Sequence, residues 1–203
     1  MPTVRSQVHE VIRDAYPKTF EGVTPTKVLG EKMFAGPTPH PNEVLNLLVQ
    51  QKITSALPIA YYMAARRGVD SLMDRRLPNS ATLSPEICQS AIKGFLSLRA
   101  LELNETHRLI LGSNPSHPCS SAHCPSRRTT GPRSSDAHQK VIDRIADPAQ
   151  SGTKVLQVLS FSGVCESDSY GFCDNCVKGW EVGHAEVRRR AWDMLPSVFG
   201  LEG

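Results

Sequence analysis

Residues 84–112, SPEICQSAIKGFLSLRALELNETHRLILG, constrain the fold of this chain more than any other stretch, because they join a helix start, a helix stop and one apolar stripe. Ser84 offers a side-chain oxygen at the N-cap, and Pro85 sits at the first helical position, where its missing N–H costs nothing. Gly112 lies just past the end, where a left-handed residue closes a helix. Between them Ile87, Ala91, Phe95, Leu98 and Leu101 recur at helical spacing and predict a buried face. Asn104 and Thr106 are poor helix formers, and a break is expected there. A long amphipathic helix of this kind must be covered by other elements, and the rest of the sequence indicates which.

Those elements also read as helices. TVRSQVHEVIRDAYP carries Val4, Val8, Val11, Ile12 and Ala15 at helical spacing, with Thr3 as cap and Pro17 as stop. Residues 17–41 hold five prolines and read as a connecting segment. NEVLNLLVQQKI presents Val44, Leu47, Leu48 and Ile53, and SALPIAYYMAARRG runs from a Ser55 cap to Gly68, so an antiparallel helix pair is expected. AHQKVIDRIADP and TKVLQVLSF predict two short helices separated by Pro148 and Gly152, and a last helix is expected from about Cys173 to Trp192. No alternating strand pattern and no repeat occurs. The fold class is therefore all-α, an irregular helical bundle with a cysteine-bearing linker and a C-terminal helix followed by an apolar tail. Its expected divisions are a helical region over 1–112, a Ser/Pro/Arg-rich linker over 113–137 and a C-terminal helical region over 138–203.

Composition narrows the function. The 203 residues suffice for one well-buried domain or two small lobes, and the 39% hydrophobic and 21% charged content suits a soluble globular protein. The net charge of +3 is spread through Arg66-Arg67, Arg75-Arg76 and Arg127-Arg128 plus one triplet, Arg188, Arg189 and Arg190. A nucleic-acid module concentrates more charge and interleaves aromatics, so solvated helix faces are the better reading, with a nucleic-acid-contacting regulator as the alternative. No apolar run follows Met1, and none reaches the roughly 18 residues of a membrane span. The expectation is a protein of the cytoplasm, the nucleus or both, without a membrane partner. In a reducing compartment the six cysteines are expected to be free, catalytic or metal-bound and not paired.

Four of them suggest a metal. Cys119 and Cys124 form a Cx4C, Cys173 and Cys176 form a CxxC, and four thiolates from two such knuckles complete a tetrahedral structural zinc site. His117, His123 and Cys165 are the substitutes within reach of the same pattern. A thioredoxin-like redox role for the CxxC requires it to start a helix that follows a strand in a βαβ setting, which the sequence does not indicate. His184 and Glu186 reproduce the HxE of zinc deaminases, but there the motif precedes a PCxxC, whereas here the order is inverted. GxSxG, HExxH and phosphate-binding glycine loops are absent, and His107 has no nameable acid or nucleophile beside it, so no enzyme is expected. At the C-terminus, RRRAWDMLPSVFGL holds Trp192, Leu195, Pro196, Val198, Phe199 and Leu201, too apolar to stand in water. A tail folded back into a groove is expected, with an exposed partner-binding patch as the alternative.

GFCDNCVKGW, the basic helix after it and RRRAWDMLPSVFGL together resemble the C-terminal region of the BTB/POZ-domain-containing proteins of mushroom-forming fungi. VRSQVHEVIRDAYP resembles their helix after the BTB fold, VLNLLVQQKITSALPIAYYMAAR a following helix pair, and LSPEICQSAIKGFLSLRALE the long helix beyond it. The strands and helices of the BTB fold itself have no counterpart in this sequence. What the resemblance implies is a helical, non-catalytic interaction module that binds an unidentified protein, with Cys173, Cys176, Trp192, Leu195, Pro196, Phe199 and Leu201 at matching positions.

Overall fold

The computed structural model describes Phe20, residues 40–74, Arg76, Pro78, residues 81–111 and residues 173–202, with side chains of the long helix described to Glu105 and that of Val177 left aside. The helices expected near residues 3–15 and 138–161, and the linker, lie outside these residues. Within them the chain is all-α, and no strand occurs. The elements are α1 (Pro41–Gln50), a 3-10 turn (Thr54–Ala56), α2 (Leu57–Ala65), the single turn α3 (Val69–Leu72), α4 (Pro85–Leu111) and α5 (Asp174–Val198). No helix among the described residues is long and apolar enough to cross a membrane.

Helix α1 begins at a cap built from His40. Its Nδ1 accepts from the Asn42 N–H at 3.3 Å, and the Glu43 carboxylate accepts from the His40 N–H at 3.1 Å. An accepting Nδ1 requires neutral imidazole, and burial together with the nearby Arg67 charge holds the His40 pKa below its usual value. In α1 Val44, Leu45 and Leu48 face inward while Leu47 stays 39% exposed. Leu47 was expected in the core, and Leu45 holds that place. The helix closes with Lys52 at φ 55 while the N–H of Ile53 bonds the carbonyl of Leu48 at 3.0 Å and that of Lys52 bonds Val49 at 3.1 Å. That is the Schellman pattern, and it brings Ile53 into the core beside Leu48.

Ser55 does not cap α2. It lies inside the 3-10 turn, and Pro58 in the first turn of α2 starts the helix without a side-chain cap. Helix α2 buries Ile59, Ala60, Tyr61, Tyr62, Ala64 and Ala65, leaving almost no solvent side, and a helix apolar all round belongs at the centre. It packs against α1, α3, α4 and α5. Gly68, at φ 89, then turns the chain into α3, a piece too short to be seen in periodicity.

Helix α4 starts where expected: Ser84 Oγ accepts from the Ile87 N–H at 3.4 Å, with Pro85 at the first position. It runs without interruption through Asn104 and Thr106 to Leu111, so no break occurs. Propensity differences of a few tenths of a kcal/mol at two positions are too small to end a helix whose other turns pack on α2 and α5. Of the expected stripe, Ala91, Phe95 and Leu98 are buried, and Ile87 and Leu101 pack partly buried against them.

Helix α5 extends past the expected end at Trp192, through Leu195 and Pro196 to Val198. The apolar tail is thus the last two turns of a helix, not a separate segment folded back. Pro196 withholds one backbone hydrogen bond, and the burial of Leu195, Val198 and Phe199 compensates for it. The helix closes as α1 does: Gly200 at φ 71, its N–H on the Ser197 carbonyl at 3.0 Å, and the Leu201 N–H on the Pro196 carbonyl at 2.8 Å.

Phe199 is the centre of this packing. It is 2% exposed, and its ring stacks on Tyr61 of α2 with centroids 5.1 Å apart. On its other flank is Gly94 of α4, where an added Cβ would stand 2.0 Å from Phe199 Cε1. A glycine inside a helix costs about 1 kcal/mol relative to alanine. Here it leaves the notch that the phenylalanine ring occupies, joining α2, α4 and α5 in one apolar cluster.

Candidate functional site

The residues with the most distinctive chemistry lie along the first half of α5. Cys173 is the N-cap, extended at φ −79 and ψ 157, and its carbonyl accepts from the Cys176 N–H at 2.9 Å. This turn carries the two side chains to the same side of the helix start, with Sγ to Sγ at 3.5 Å. Neither is in a disulfide; Cys173 is half-buried and Cys176 buried. The first-turn amides and the helix dipole favour the thiolate form at this end.

The pair suits metal ligation in its own geometry. Tetrahedral zinc with bonds of about 2.3 Å sets two sulfurs roughly 3.8 Å apart, close to the separation found. Cys119, Cys124, Cys165, His117 and His123 lie outside the described residues, and among the described residues no group of three or more metal-binding side chains converges. Two of the four expected ligands, Cys173 and Cys176, are therefore brought together here.

One and two turns further along, Trp180 and His184 are buried at 5% and 6% exposure. Burial, with the Arg188 charge adding to it, pushes the His184 pKa down to about 4, so the ring is neutral at ordinary pH. His184 stands about 12 Å along the helix axis from Cys176, too far to share an ion with it through this helix alone. Glu186 is exposed and lies some 200° around the helix from His184, so the HxE residues do not converge on one point.

The arginine triplet is engaged by the protein. Arg190 pairs with Glu105 of α4 at 2.8 Å, the Arg189 guanidinium lies 5.8 Å from the centroid of the Phe20 ring, and Arg188 is half-buried beside His184. Another buried charge, Glu102, is held by Arg99 at 2.7 Å. Of the tail residues, Leu195 and Phe199 are in the core, and Trp192 and Leu201 pack partly buried against it. Pro196 is partly exposed.

Tyr61, Gly94 and the His40 cap were missed in the sequence. Gly94 gave the only readable signal, a glycine within a strong helical pattern, which points to close packing. No protein-family model matches the chain, and neither the curated proteins nor the solved structures give a match.

Proposed function

We propose that this chain is a non-catalytic helical module that binds another protein inside the cell, in the cytoplasm or the nucleus, with Cys173 and Cys176 supplying half of a structural zinc site. Cys119 and Cys124 would complete the ligand set. Four protein ligands leave a zinc ion no open position, so it would stabilise the fold without activating water. The resemblance to the helical C-terminal region of BTB/POZ proteins favours partner binding. So do the exposed apolar side chains Met73, Leu96 and Val182.

One observation carries the reading: among the described residues, three groups that catalysis or phosphate binding could use are engaged in internal contacts or buried. Arg190 is paired with Glu105, Arg189 lies over Phe20, and His184 is buried and neutral.

Metal analysis and a salt series test it together. Protein purified under reducing conditions is expected to hold one zinc per chain, which Cys173→Ser combined with Cys176→Ser removes. Its affinity for mixed-sequence duplex DNA is expected to be low at every salt concentration. Tight binding that collapses as salt rises, and that is lost when Lys178 and Arg189 become glutamate, would replace this reading with a nucleic-acid regulator.

A further inference from the structure

We infer that Cys173 and Cys176 form a reversible dithiol–disulfide couple at the start of α5. It needs only these two residues and belongs to the metal-free chain, since sulfurs held by zinc cannot close a disulfide. Their sulfurs are 3.5 Å apart, and a disulfide requires an approach of roughly 1.5 Å to reach a bond of about 2.05 Å. An extended cap residue and a residue in the first turn can supply that shift without disturbing the rest of the helix.

The two thiols are also unequal in the way such a couple requires. Cys173 is half-buried whereas Cys176 is 9% exposed, which assigns attack on a reagent to Cys173 and resolution to Cys176. Cys88 provides the contrast within the same molecule. Its Sγ faces the Leu72 carbonyl at 3.8 Å, and burial raises its pKa.

With a low-molecular-weight disulfide such as oxidised glutathione, the chemistry balances. The Cys173 thiolate attacks one reagent sulfur, forming a mixed disulfide and releasing one glutathione thiolate. Cys176, its proton lost to water, then attacks the Cys173 sulfur, closing the protein disulfide and releasing the second glutathione thiolate. Two electrons pass from the protein to the reagent. Trp180, buried one turn beyond Cys176, is placed to report the closure.

The test uses the full chain, reduced and kept metal-free with a chelator, then incubated with oxidised glutathione. Peptide mass spectrometry is expected to find a Cys173–Cys176 link two hydrogens lighter than the reduced form and reversed by excess dithiothreitol. Tryptophan emission should change in step with it. Cys173→Ser keeps a good N-cap, so it should fold while forming no link and showing no emission change. Glutathione left on Cys173 without closure, linkage of either residue to another cysteine, or the full wild-type emission change appearing in Cys173→Ser would overturn the inference. Because metal is excluded throughout, a failed zinc titration leaves this result untouched.

Discussion

Across residues 187–199 helix α5 buries Val187, Ala191, Leu195, Val198 and Phe199 in the same cluster as α2 and α4, whereas across residues 176–184 it buries Cys176, Trp180 and His184 outside that cluster. The second half is secured by apolar area and shape, which respond to neither pH nor redox conditions. In the first half the buried groups are a thiol, an indole and an imidazole, so its stability depends on protonation and oxidation. One helix thus carries an anchor at one end and chemistry at the other, and perturbations should separate the two.

The largest expected effect belongs to the anchor. Phe199→Ala removes the ring between Tyr61 and Gly94 and should cost about 3–5 kcal/mol in urea unfolding. A loss under about 1 kcal/mol would mean that the two halves do not differ as described.

Acid should act on the other half. His184 titrates near 4 in the folded chain against an ordinary 6.5. Between those values the unfolded chain binds a proton that the folded one refuses, so the contribution is complete above pH 6.5 and declines as pH falls towards 4. It is then constant below the folded value. The total is roughly 3 kcal/mol, and His184→Gln should flatten the wild-type stability profile in that window alone. Identical profiles for the two proteins would remove His184 from the account.

Smaller changes refine the boundary. The Cys173 side chain makes no capping bond, so in metal-free, reduced protein Cys173→Ser should raise stability by about 0.5–1 kcal/mol at neutral pH. Glu105→Gln breaks the pair with Arg190, whose side chain is 46% exposed, and should cost less than about 1 kcal/mol, less still at high salt.

Much of the scaffold was legible in local chemistry. Ser84, Pro85 and the stripe from Ile87 to Leu101 mark α4, since caps and periodicity act within a few residues. The buried face of α1 was not, because packing against α2, not anything within its own turns, selects Leu45 over Leu47. The end of α5 was misplaced because Pro196 reads locally as a stop, while the packing that overrides it comes from α2 and α4. At the candidate site, CxxC spacing was enough to pair Cys173 with Cys176. The burial of His184 and the engagement of Arg189 and Arg190 depend on residues distant in the chain, so no local pattern announced them.

The central claim, that Gly94 exists to admit Phe199 and so locks α5 to α4, is tested most directly by a double-mutant cycle in urea. Gly94→Ala should be strongly destabilising in the wild-type background, because the added Cβ meets the ring at 2.0 Å. With Phe199→Ala in place the same change should cost nothing, or stabilise by up to about 1 kcal/mol as alanine does in an open helix. Equal costs of Gly94→Ala in both backgrounds would contradict it.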